Sequence, residues 1–138
     1  MYKHFKLSLA MTMLVSSAIT FSSAVAHSTV TPLATHHGKA LAAGIYHLEL
    51  IVADNRVQLY VYDRGNNAAY VDGLQVKALV WTAKDSQEVA LTPVRLNLMG
   101  GTGTFAAADI QRVIVMLAEE GGAPVNAWFK FSSSPEQP

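Results

Sequence analysis

Gly44-Ile45-Tyr46-His47-Leu48-Glu49-Leu50-Ile51-Val52 decides the fold. Tyr46, Leu48, Leu50 and Val52 alternate with His47 and Glu49, so one face is apolar and the other polar at period two. That is a half-buried strand. Asp54-Asn55 then reads as a turn into a second strand over 57–63, with Val57, Leu59 and Val61 inward, and the pair reads as a hairpin. Further along, 74–82 alternates with Leu74, Val76, Ala78 and Val80 on one side. A fourth strand over 88–98 is interrupted by Pro93, which places it at an edge or splits it in two. Gly100-Gly101-Thr102-Gly103 reads as a turn into a short strand at 104–106. Strands over 111–118 and 125–131 follow, joined by Glu120-Gly121-Gly122-Ala123-Pro124. About seven short strands with no helix predict an all-β fold, an immunoglobulin-like antiparallel β-sandwich, with a small barrel as the alternative.

Upstream of this pattern the chain changes character. Residues 1–6 hold Lys3, His4 and Lys6, residues 7–21 are uncharged and apolar, and Ser22-Ser23-Ala24-Val25-Ala26 supplies small residues for a signal peptidase. A basic start, an apolar middle and an A-x-A-like end predict a secretory signal peptide over 1–26. The rival is a membrane anchor, but Thr12, Ser16, Ser17 and Thr20 break an apolar run already marginal for a span of ~20 residues. No membrane span is expected after cleavage. A flexible His-containing arm is expected over 27–43, as loose chain or as an edge segment, the β-sandwich domain over 44–131 and a disordered tail over 132–138.

The 138 residues include no cysteine, which excludes disulfide frameworks, thiolate metal sites and thiol catalysis. Basic and acidic side chains balance at 10 each, which argues against nucleic acid as a partner. Loss of Lys3 and Lys6 with the signal leaves 8 basic against 10 acidic, a net charge of −2. Export without cysteine points to the bacterial periplasm rather than a stapled eukaryotic domain.

The chemistry gathers at the start of the exported chain. His27, His36, His37 and His47 are its four histidines, and neutral imidazoles are the usual ligands of divalent transition metals. His47 and Glu49 share the face of their strand turned away from the core, ~7 Å apart. An arm folded back along that strand would bring His36 or His37 to them, and two imidazoles with a carboxylate suit copper or zinc. Cleavage after Ala26 would place the amine and imidazole of His27 at the terminus. Cleavage after Ala24 would make Val25-Ala26-His27, a square-planar site for Cu²⁺ or Ni²⁺. The bland alternatives are a solvated His pair and a strand histidine bonded to a neighbour. Met99 and Met116 are too few for a thioether copper site. Gly100–Gly103 lacks the Lys-Ser/Thr of a phosphate loop. No motif places a base beside a nucleophile, so no enzymatic activity is expected. Trp81, Trp128, Tyr60 and Tyr62 fall opposite the aliphatic rows, where they would either be covered or form a partner-binding patch.

In order along the chain, His37-Gly38, Gly44-Ile-Tyr-His-Leu-Glu-Leu50, Leu59-Tyr-Val-Tyr-Asp63, Gly101-Thr-Gly-Thr-Phe105 and Gly122-Ala-Pro-Val-Asn-Ala-Trp-Phe129 are similar to a small β-sandwich module. It occurs in periplasmic proteins linked to heavy-metal efflux and in adaptor subunits of resistance-nodulation-division metal pumps. The resemblance spans most of the exported chain through short motifs, and Lys39 stands where the module has a second glycine. It implies that His37 and Glu49 match the module's histidine and glutamate, and that a metal-efflux adaptor or other envelope protein is the partner. The expected function is therefore periplasmic binding of copper or zinc in metal homeostasis or as an efflux accessory. The alternative is an envelope protein–protein interaction module without metal.

Overall fold

The hairpin forms where the alternation placed it. In the computed structural model, which describes residues 30–131, β2 (Tyr46–Ala53) pairs antiparallel with β3 (Arg56–Asp63) from Tyr46↔Asp63 to Ala53↔Arg56. Asn55 turns the chain with φ of 59°, a left-handed conformation that asparagine tolerates. Its backbone and side chain also fix the 103–105 segment, the Phe105 N–H donating to Asn55 Oδ1 at 2.9 Å. Before the hairpin comes β1 (Lys39–Ala43). After it come β4 (Leu74–Thr82), β5 (Ser86–Arg95), β6 (Leu98–Thr102), a 3-10 turn at Ala107–Asp109, β7 (Ile110–Glu119) and β8 (Val125–Lys130).

The chain is all-β, but the seven-strand immunoglobulin-like arrangement is not what forms. Eight antiparallel strands follow one hydrogen-bonded order, β1-β2-β3-β6-β5-β4-β7-β8. The sheet folds on itself at β5. Positions 86–91 of that strand pair with β4, whereas Thr92, Pro93 and Arg95 pair with Gly100, Met99 and Leu98 of β6. The handover falls at Pro93, which lacks an N–H, and at a register shift between Pro93 and Arg95, as expected where a strand passes from one layer to the other. The far ends of the order come together: Lys39 Nζ lies 5.0 Å from the Phe131 ring centre, and Gly44 packs on Val125. The result is one nearly closed sheet.

The expected turn at 100–103 is also corrected. Gly100 and Gly101 lie inside β6, and 104–106 is not a strand. A Cβ on Gly101 would sit 2.5 Å from the Ala90 carbonyl oxygen and 2.7 Å from Val89 Cγ1. Glycine is needed there because β5 crosses directly over β6. It marks close approach of backbone, not chain reversal.

Between the layers, Leu48, Leu50, Val57, Leu59 and Val61 of the hairpin pack against Val76, Ala78, Val80, Val113, Val115 and Phe129, all buried. At ~1.5–3 kcal/mol for each fully buried aliphatic side chain, this interior dominates stability. The arm is not all loose chain. Its part over 39–43 is the edge strand β1, paired with β2 from Lys39↔Leu50 to Ala43↔Tyr46. The expected signal peptide, His27 and the expected tail over 132–138 lie outside the described residues. No helix among the described residues is long and apolar enough to cross a membrane.

Candidate functional site

Hairpin register sets out the site. Glu49 is opposite Tyr60 and His47 opposite Tyr62, so these four side chains share the outer face of β2 and β3. Residues 30–38 run back across that face. They turn at His37, whose φ is 61° and whose N–H donates to the Ala34 carbonyl at 3.4 Å. Gly38 lets the backbone settle onto β2, since a Cβ there would be 2.6 Å from the Leu50 carbonyl oxygen.

Under this turn Glu49 is fully buried. Its Oε1 accepts the backbone N–H groups of His36 (2.7 Å) and Gly38 (3.0 Å). Its Oε2 lies 3.0 Å from His36 Nδ1 and accepts the Thr35 hydroxyl at 3.4 Å. Burial pushes the carboxyl group up, but the Gly38 N–H, the His36 ring and the His36 N–H together outweigh it and hold Glu49 below the usual carboxylate range. A buried carboxylate with this many donors is itself satisfied. An ionised carboxylate only accepts, so His36 Nδ1 carries a proton, and in the neutral imidazole Nε2 keeps its lone pair. The imidazole is stacked on Tyr60, with ring centres 3.7 Å apart and planes 2° from parallel. Tyr62 closes one side, its hydroxyl 3.0 Å from Thr35 Oγ1 and 3.3 Å from His36 Nδ1. The His36 side chain is still 40% exposed.

His47 has a different environment. It is 5% exposed, and its Nδ1 is 2.7 Å from Asn66 Oδ1. Asn66 Nδ2 donates to the Thr31 carbonyl at 2.9 Å, which fixes the amide orientation and makes His47 Nδ1 the donor. The loop holding Asn66 is organised by Asp63, whose Oδ1 accepts the N–H groups of Gly65 and Asn67. The Asn67 N–H above all lowers the Asp63 carboxyl group below its ordinary range. The arm is therefore clipped twice, by Glu49 at 35–38 and through Asn66 at Thr31.

Of the five residues singled out from sequence, His36 and Glu49 are joined. His47 faces the same side but is bonded to Asn66. His37 is exposed at the turn, and His27 lies outside the described residues. Among the described residues, no group of three or more His, Asp or Glu side chains is arranged around one point as a metal shell. Tyr60, which sequence left as either covered or part of a partner-binding patch, is buried beneath His36, and Tyr62 is half-buried. Sequence reasoning missed Thr35, Gly38 and Asn66 as site residues. The signal for the tyrosines was present in the outward parity of β3, whereas nothing local marked Asn66 as a partner of His47. A separate cleft of about 500 Å³ opens over β6, lined in part by Arg56, Gln58, Glu88, Val89, Thr92 and Val94, and none of the sequence candidates borders it. Compared with protein-family models, curated proteins and solved structures, the chain finds no match.

Proposed function

We propose that this chain binds a divalent transition metal, copper or zinc, in the bacterial periplasm, serving metal homeostasis or acting as an efflux accessory. The observation that carries the reading is the His36 imidazole held at Nδ1 by the buried Glu49 carboxylate and stacked on Tyr60. A histidine whose outer nitrogen ligates a metal commonly donates its other N–H to a carboxylate, which fixes the tautomer and raises the basicity of the free nitrogen. Here the free nitrogen is Nε2, on a partly exposed ring with little rotational freedom left to lose. The donor set fits the ion in part: His36 and the exposed His37 are available ligands, while Glu49 orients rather than ligates because both of its oxygens are already occupied. When bound, the metal contributes Lewis acidity and ligand exchange. The protein residues hold the imidazole, exclude water from Glu49 and keep the Nδ1 proton in place.

Calorimetric titration of the exported chain with Cu²⁺ and with Zn²⁺ tests this. Saturable binding is expected, at least tenfold weaker in His36→Ala. Equal binding by the wild type and a His36→Ala/His37→Ala variant refutes the proposed site.

A second reading, an envelope interaction module without metal, draws on the opposite layer. Register places Leu79, Ile114 and Trp128 in one row across β4, β7 and β8 on its outer face, and Trp128 is 58% exposed. Aromatic side chains of this kind are enriched at the centres of protein interfaces. This reading expects Trp128→Glu to abolish capture by an envelope partner while histidine variants keep it.

A further inference from the structure

We infer that a second copy of this chain completes the metal shell, two His36–His37 turns meeting across a two-fold axis around one Zn²⁺ ion. The inference rests on the metal-binding reading above and names the partner of that site. Structural zinc takes four ligands in a tetrahedron. Glu49 is enclosed and saturated, and His47 is buried, bonded to Asn66 through Nδ1 and not gathered with His36 and His37 around one point. The described arm therefore presents two accessible imidazoles, His36 and His37, both on one exposed turn. Two is half a tetrahedral shell. A two-fold axis repeats any surface patch against itself, so two such turns supply four nitrogens.

Two further features of the same segment favour a copy of itself as the occupant. Leu33 is 54% exposed and Val30 is 46% exposed, so large apolar side chains flank the histidines without cover. Burying apolar surface of that kind contributes about 25 cal/mol per Å². Residues 30–38 also carry no Asp, Glu, Lys or Arg, so two arms approach without like-charge repulsion. His36 is already oriented by Glu49 and Tyr60, which reduces the ordering cost of assembly.

The test is the molar mass of the full exported chain by light scattering after gel filtration, with Zn²⁺ or with chelator, together with metal stoichiometry. The expected result is one chain per particle with chelator, and two chains holding one zinc ion when Zn²⁺ is added. His37→Asn keeps a residue that tolerates the left-handed turn. It should raise the zinc concentration needed for dimerisation at least tenfold without changing the chelated protein. Leu33→Glu should weaken the dimer while leaving the helix-free circular dichroism spectrum unaltered. A monomer that binds one zinc per chain overturns the two-fold shell and leaves the metal reading intact. Absence of saturable zinc binding overturns the two-fold shell, and absence of saturable copper binding as well overturns the metal reading. A zinc-dependent dimer that persists in His36→Ala/His37→Asn overturns the assignment of the shell to this turn.

Discussion

Replacing Glu49 separates what its shape does from what its charge does. In Glu49→Gln, the remaining oxygen can keep the N–H groups of His36 and Gly38. The new NH₂ then faces His36 Nδ1 and Thr35 Oγ1, both of which are able to accept. Every polar atom stays satisfied, but the His36 tautomer reverses and the proton moves to Nε2. All four bonds to the carboxylate become neutral ones, at roughly 1 kcal/mol each, largely offset by relief of burying a charge. The expected loss of stability is about 1–2 kcal/mol. Glu49→Ala instead strands two backbone donors beneath the arm, at about 1–3 kcal/mol each, up to the point where the arm lifts and water reaches them. About 3 kcal/mol is expected. With a urea m-value of about 1.5 kcal/mol/M, these changes lower the denaturation midpoint by roughly 1 M and 2 M, read from tryptophan fluorescence at pH 7. On the proposed metal-binding reading, affinity should fall about 10–100-fold even in the well-folded Gln variant, because the nitrogen proposed to ligate is blocked. A Gln variant that binds zinc as tightly as wild type would refute the orienting role. An Ala variant within 0.5 kcal/mol of wild type, on the order of the error of the method, would refute the anchoring role.

Three other outcomes are expected. Glu49 titrates below its ordinary value of 4.5, so its contribution is intact above that pH and is lost as pH falls through the lower folded value. Exchange of the His36 and Gly38 amide protons should accelerate in that acid range before the interior opens, and simultaneous loss of both would count against a separately anchored arm. Burial and the Glu119 carboxylate hydrogen-bonded to its hydroxyl push Tyr46 up to about 12. Stability is therefore full below pH 10 and declines between pH 10 and about 12; tyrosinate absorbance should show one late-titrating group that Tyr46→Phe removes. Gly101→Ala forces a methyl group against the Ala90 carbonyl and Val89, so a loss of about 1–3 kcal/mol and a lower Tm by calorimetry are expected, while Gly73→Ala, with open space around its Cβ, should show only the smaller cost of its positive φ.

Alternation made the strands legible. Leu48, Leu50, Val57, Leu59 and Val61 face the interior because period two admits only one parity once a side is apolar. Pro93 predicted an edge position or a split, and neither forms, since β5 runs unbroken through Pro93 between β6 and β4. What it marked was a change of neighbour within one strand, and partner choice over long range has no local signature. Gly100 and Gly101 misled because glycine serves both reversal and close packing, and only the crossing of β5 distinguishes them. At the site, the fold-back of the arm onto the polar face of β2 was foreseeable from four histidines and one outward glutamate. The division between them was not. Asn66 takes His47 from a loop 19 residues away, and that pairing depends on a left-handed backbone at Asn66 that no periodicity encodes.

The double clip also orders events in time. A chain made from its N-terminus releases the arm first, yet Glu49, Tyr60 and Asn66 come later in sequence, and the surface they form exists only once the hairpin has closed and its following loop has turned. Until the hairpin has closed, the His36 ring has no stacking partner and no carboxylate at its inner nitrogen, and until residue 66 is free Thr31 has no clip. The nascent arm thus lacks these contacts, and the oriented imidazole is acquired late, as a by-product of the hairpin having found its register.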